Sequence, residues 1–231
     1  ILASEIDQAT GQQNLYAISG PVSSDLSFFG RERGLQEIVD LLNVGQPGGI
    51  FGLRKVGKTS LVQRIQGRLA QQRPIALVDT QKTARQRGIW SLYPDIIAAF
   101  ANHLQRYRAE VALPDLQLWP EPEALSPAMA DAFVHDLETL HKALGEPNKD
   151  ERLLLIVDEI DRLLPAGEAP GYEGFATLFG QLRAANQQTQ ILDFLVVGVD
   201  AAVNRVERWR DHDNELYRAL REVWMPPMAH E

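Results

Sequence analysis

Apolar positions along the chain recur at two periods, and the alternation between them lays out its elements. Leu35, Ile38, Val39 and Leu42 hold the i, i+3, i+4, i+7 spacing of one helix face, in a helix opening at Phe28-Phe29-Gly30-Arg31-Glu32. Gln46-Pro47-Gly48-Gly49 breaks the chain before a short strand, Ile50-Phe51. Leu61, Ile65 and Leu69 stripe the next helix. Pro74 to Val78 reads as a second strand, and Ile97, Phe100, Leu104 and Tyr107 as another helical face. Residues 108–125 contain prolines and lack periodicity, which predicts a surface loop. Ser126-Pro127 predicts a helix start, because serine caps free N–H groups and proline tolerates the first turn. That helix buries Met129, Phe133, Leu137, Leu140 and Leu144, and Gly145 suits its end. Leu153 to Val157 is apolar throughout, as in a parallel strand covered on both faces. Phe175, Leu178, Phe179 and Leu182 mark a further helix and Ile191 to Val197 a strand. Val223 to Met225 is a last strand, stopped by Pro226-Pro227. Strands alternating with helices predict right-handed βαβ units and a parallel sheet. Residues 1–27, polar and broken by Gly20-Pro21, read as an irregular lead-in, and residues 28–228 as one α/β domain.

Composition narrows the class. With 231 residues, 45% of them hydrophobic, the chain can build a core and is neither disordered nor collagen-like. No apolar run approaches the length that crosses a bilayer. Residues 1–20 contain Glu5 and Asp7 and lack a basic start followed by an apolar stretch, so no signal peptide is expected. Cysteine is absent, which excludes disulfides and thiolate chemistry and suits a cytoplasmic protein. The net charge is −8, from 23 Lys and Arg against 31 Asp and Glu, and this balance argues against nucleic acid as a partner. A chain that opens at Ile1 is expected to be a piece of a longer protein.

Two segments carry chemistry. Gly52-Leu53-Arg54-Lys55-Val56-Gly57-Lys58-Thr59 fits G-x-x-x-x-G-K-[ST], follows a strand and opens an amphipathic helix. Glycines let the backbone curl so that successive N–H groups face phosphate oxygens, and the helix N-terminus adds its positive end. Lys58 is placed to reach the β- and γ-phosphates, and the Thr59 hydroxyl to ligate Mg²⁺. The second segment ends the apolar strand with Asp158-Glu159, at the edge where open α/β sheets bind ligands. Asp158 is expected to hold Mg²⁺ through its water shell and Glu159 to take a proton from the attacking water. Asp161 and Arg162 read as solvated charges. The histidines are scattered: His135 and His141 lie six apart and share no helix face for a metal. The four tryptophans, at 90, 119, 209 and 224, read as packing residues.

With these motifs the chain resembles the STAND class of AAA+-related P-loop ATPases, which includes the NACHT and NB-ARC switches. Three boxes carry the resemblance: Phe28-Phe29-Gly30-Arg31-Glu32, the loop ending Lys58-Thr59-Ser60, and Asp158-Glu159. It covers about residues 14 to 228. It implies a three-layer P-loop NTPase fold with a five-stranded parallel sheet of order 5-1-4-3-2. It also implies ATP or ADP with Mg²⁺, the adenine held near Gly30 and Arg31, and the phosphates along Gly52 to Ser60. From its helix-start position alone, Arg31 fits a pairing with Glu32 or Asp40 equally well. Where such ATPases place a polar sensor after the fourth strand, this chain offers Asp200, whose charge would repel phosphate; capping of the helix at Ala201 suits it better. Arg205, Arg208 and Arg210 could approach a neighbour's nucleotide, though a solvated helix face is the simpler reading. The lid and winged-helix domains of the class lie outside this sequence.

The resulting expectation is an ATP-binding, slowly hydrolysing switch domain of a signalling or defence protein. Its partners would be nucleotide, its own flanking sensor and effector domains and, on ATP binding, further copies of itself. The alternatives are an origin-recognition type AAA+ ATPase acting on DNA and a non-hydrolysing nucleotide clamp for oligomer assembly.

Overall fold

A computed structural model describes residues 31–80, 89–120, 125–145, 151–164, 172–209 and 212–227. The lead-in at 1–27, the Phe28-Phe29-Gly30 part of the first box and Arg210 lie outside these residues. Five strands form the main sheet: β1 (Gly48–Phe51), β2 (Ile75–Asp79), β3 (Leu153–Asp158), β4 (Leu192–Gly198) and β7 (Arg221–Trp224). Their order is β2-β3-β4-β1-β7 and every neighbouring pair is parallel. Counting only these five strands along the chain, that is the expected 5-1-4-3-2.

Alternate side chains of the strands feed two cores. On one face Ile50, Ile75, Leu154, Ile156, Leu195 and Val197 pack against α1 (Glu32–Asn43) and α2 (Lys58–Leu69). On the other, Val78, Leu155, Val157, Phe194 and Val196 meet α3 (Leu92–Tyr107), α4 (Met129–Ala143) and α5 (Tyr172–Gln187). Strands buried on both faces must be apolar at every position, which is why β3 reads as an unbroken apolar run. The result is the three-layer α/β architecture expected. Among the described residues no helix is long and apolar enough to cross a membrane.

Several boundaries differ from the sequence pattern, each for a visible reason. Gly48 and Gly49 belong to β1, because β4 and β7 on its two sides supply ladder partners that override a glycine break. The last strand begins two residues early, at Arg221, by pairing with Gly48. Ser126 does not cap a helix through its side chain. Its carbonyl accepts the N–H of Met129 in a turn, and the helix begins at Met129. The stretch expected as a surface loop sends Leu116 and Leu118 into the core, 6% and 3% exposed. The amides of Gln117 and Leu118 donate to the fully buried Asp136 carboxylate on α4, at 2.9 and 2.8 Å. Arg205 and Arg208 share no helix face: α6 is the short Ala202–Arg205, and Arg208 opens a hairpin of β5 (Arg208–Trp209) and β6 (His212–Asp213).

At the end of the sheet where β3 begins, charged groups lie buried together. The Arg73 guanidinium pairs with Asp193 and donates to the carbonyls of Arg152 and Leu153, while Arg152 holds the other oxygen of Asp193. Burial lowers the pKa of Arg73 and the Asp193 charge opposes that fall. The opposite end, where β1, β3 and β4 finish, is left for chemistry.

Candidate functional site

β1 ends at Phe51 and the chain turns through Gly52 to Gly57 into α2. Leu53, Arg54, Lys55 and Thr59 are exposed, while Gly52, Val56, Lys58 and Ser60 are buried. Gly57 lies at φ +92 as the residue before the helix, a conformation a Cβ would disfavour, and Lys55 also has positive φ, at +65. The Lys58 ammonium bends back over the loop and donates to the carbonyls of Gly52, at 2.7 Å, and Leu53, at 2.9 Å. Burial draws its pKa down, and the nearby charges of Glu159, Asp158 and Asp161 oppose that shift. The lysine is thus a cation fixed over the loop by two of its backbone carbonyls.

β3 finishes beside this loop. The Thr59 hydroxyl donates to Asp158 Oδ2 across 3.5 Å, so the two oxygens expected to share a divalent cation face each other. The second Asp158 oxygen accepts the N–H of Glu159 at 2.9 Å. Burial raises the Asp158 pKa, the Glu159 N–H lowers it, and the charges of Glu159 and Asp79 raise it again. A magnesium ion would relieve that crowding of negative charge. One hydroxyl with one carboxylate suits an ion that takes few protein ligands and completes its shell with phosphate oxygens and water. Among the described residues no group of three His, Asp or Glu forms a self-sufficient metal cage.

Glu159 takes a left-handed conformation, φ +57 and ψ +41, between β3 and a short 3₁₀ turn at Ile160–Arg162. Thr80, which the sequence does not single out, and Asp161, expected as a solvated charge, hold this turn. Thr80, fully buried just past β2, shares its hydroxyl proton between the carbonyls of Glu159, at 2.7 Å, and Asp158, at 3.1 Å. Asp161 is not simply solvated: its carboxylate accepts the N–H groups of Val199, at 2.6 Å, and Asp200, at 3.1 Å, just past β4. Thr80 carries no motif; its clue is that β2 lies beside β3 in the expected strand order. The clue for Asp161 is its place three residues after Asp158. Arg162 is exposed as expected. Asp200 does cap, accepting the N–H of Ala202 at 3.0 Å.

Arg31 ties the loop to the segment after β7. Its guanidinium donates to the carbonyls of Val56, at 3.2 Å, and Pro226, at 2.7 Å. Its expected alternatives are otherwise engaged: Glu32 faces Arg68, and Asp40 accepts from Gln36. Gly30, expected beside it at the adenine, lies outside the described residues. Arg205 is held by Glu222 and lies over the Trp224 ring, and Arg208 faces Asp213.

The family model described as "AAA ATPase domain" matches residues 27–196. The chain belongs to this family. An AAA ATPase domain binds nucleotide and is built to hydrolyse it, usually with Mg²⁺. Solved structures with the same fold include the Walker-type ATPase PABY2304 of Pyrococcus abyssi, 21% identical, with a TM-score of 0.66 over 94% of this chain and 58% of that one. The ORC2 protein of Aeropyrum pernix, in ADPNP-ADP complexes, is 16% identical, with a TM-score of 0.55 over 93% of this chain and 51% of that one. Cdc6p from Pyrobaculum aerophilum is 14% identical, with a TM-score of 0.54 over 91% and 48%. The AAA ATPase domain here therefore spans about half to three fifths of the length of these structures. A search of curated proteins returned no match.

Proposed function

We propose that this AAA ATPase domain is the ATP-binding, slowly hydrolysing switch of a larger STAND-type protein of signalling or defence, its ATP or ADP state controlling assembly of the whole. The observation that carries the reading is the convergence of Lys58, Thr59, Asp158 and Glu159 at the carboxyl edge of β1 and β3. The amides from Gly52 to Ser60 cradle the phosphates, and Lys58 turns from the Gly52 and Leu53 carbonyls to the β- and γ-oxygens. Thr59 and Asp158 hold Mg²⁺, which when bound supplies positive charge against the phosphate oxygens. Glu159 accepts a proton from the attacking water. Arg31 fixes the loop to the segment after β7 and sets the wall near the base.

The test is a pair of variants. Lys58→Ala removes the fixed cation and is expected to weaken labelled ATP and ADP by about 2–4 kcal/mol in a partly desolvated site. Glu159→Gln is expected to keep ATP bound and stop its hydrolysis. Equal affinity in Lys58→Ala and wild type, or wild-type turnover in Glu159→Gln, would remove the assignment.

A second reading, an ATPase of the origin-recognition type, draws support from the resemblance in fold to ORC2 and Cdc6p. The charge of −8 stands against it, because affinity for a phosphate backbone comes from clustered Lys and Arg that release counterions. Gel-shift titration of duplex DNA at physiological salt is expected to show no binding by this chain. Tight, salt-sensitive binding would put the second reading first.

A further inference from the structure

We infer that Asp161 is a positioning residue for hydrolysis: it locks the turn bearing Glu159 to the outgoing end of β4, and Gly198 makes room for that lock. The inference rests on the ATPase reading above. The parallel register between β3 and β4 runs to Val157 and Val196, beyond which β3 stays paired only with β2, through Asp158, and β4 only with β1, through Gly198. Beyond that point the Asp161 carboxylate continues the connection, one oxygen on the Val199 amide and the other on the Asp200 amide. Asp161 follows Glu159 by two residues, so fixing it limits the freedom of a left-handed residue that regular structure does not hold. Thr80 fixes the same turn from the β2 side, and the turn is therefore gripped from both neighbouring strands.

The fit is specific to these two residue types. A Cβ on Gly198 would lie 2.8 Å from Asp161 Oδ2 and 2.8 Å from Ile160 Cγ2, so any larger residue displaces the clamp. Asparagine has the shape of aspartate but presents one oxygen and one NH₂, and the NH₂ would face a backbone donor. The charge also matters, since Asp161 contributes to the negative field around Lys58 while both its oxygens are committed to amides. On the far side, the Asp200 carboxylate accepts the N–H of Ala202, the first residue of α6.

Asp161→Asn, Gly198→Ala and the double variant are compared with wild type by steady-state ATP hydrolysis, labelled-nucleotide affinity and amide hydrogen exchange at Val199 and Asp200. A misplaced base is expected to lower kcat by about tenfold or more in each single variant, with KM and nucleotide affinity within about twofold. The double variant should be no slower than the slower single, since both break one contact. Protection of the two amides should fall in all three. Wild-type kcat in Asp161→Asn, losses that multiply in the double variant, or kcat and affinity falling together would overturn the inference. The two readings separate cleanly. A wild type that hydrolyses no ATP while its Val199 and Asp200 amides are protected overturns the ATPase reading and so the catalytic use of the clamp. Unprotected amides in a hydrolysing wild type overturn the clamp alone.

Discussion

Glu159, proposed above as the base, holds its place at a conformational cost. A side chain with a Cβ in the left-handed region is disfavoured by about 1–2 kcal/mol, and Glu159 sits there at φ +57 because Thr80 and the clamp of Asp161 hold its turn. Glycine adopts that conformation without the steric penalty, though it makes the unfolded chain more flexible and so loses more entropy on folding. Glu159→Gly is therefore expected to unfold at the same temperature as wild type or slightly higher, by up to about 1 kcal/mol of stability, while ATP hydrolysis is lost. Thermal unfolding beside a turnover assay checks both halves; a large drop in stability would show that the glutamate side chain, not its backbone, holds the turn. At this scale the sequence speaks where residues that act together also lie together. Lys58 and Thr59 stand in one loop, and Asp158 beside Glu159 ends an apolar run. Thr80 and Asp161 were illegible as parts of the site because their partners lie 79 and 38 residues away, and only the folded sheet brings them into contact.

Elements were legible to the extent that they face the core with a regular period. All five main strands and the faces of α1 to α5 follow from apolar spacing, because burial on one stripe or on both faces leaves that trace. What the period cannot show is a segment held by polar contacts. Leu116 and Leu118 enter the core from an aperiodic stretch whose amides are satisfied by one carboxylate on α4. The two-residue strands β5 and β6 are too short to carry a pattern at all. The first case gives a prediction for the element. Asp136→Ala would strip its acceptor from the buried Leu118 amide and the half-buried contact of Gln117, so it is expected to destabilise the fold by about 2–4 kcal/mol. Asp136→Asn, which keeps one acceptor oxygen, should fall between. Chemical denaturation checks the order; an alanine variant as stable as wild type would show that the amides find other partners.

For the whole molecule, the decisive matter is which cations can meet charge developing on the γ-phosphate. Phosphoryl transfer depends on positioning and on such cations, and a supplied arginine accelerates it by about 10³–10⁵-fold. The domain provides Lys58 from its own loop. Among the described arginines that the sequence offered as fingers, Arg205 is held by two bonds to Glu222 and covers Trp224, and Arg208 faces Asp213. The Arg205 bonds, with further ones from Asn204 and Trp224, pull the Glu222 pKa down to about 2 against the effect of burial, so the pair stays ionised at neutral pH. Freeing Arg205 for a neighbouring copy would give up the contacts that tie α6 to the edge strand β7. The position after β4 offers no compensating cation, because Asp200 caps α6 and both amides there are taken by Asp161. The isolated domain is accordingly expected to turn ATP over slowly, as a monomer, with a rate per molecule that stays constant as protein concentration rises. Steady-state hydrolysis across a dilution series, beside sedimentation at the same concentrations, checks this. A rate per molecule that climbs with assembly would show that a neighbour supplies the missing cation, and fast turnover by the monomer would make the domain a self-sufficient ATPase and not a switch.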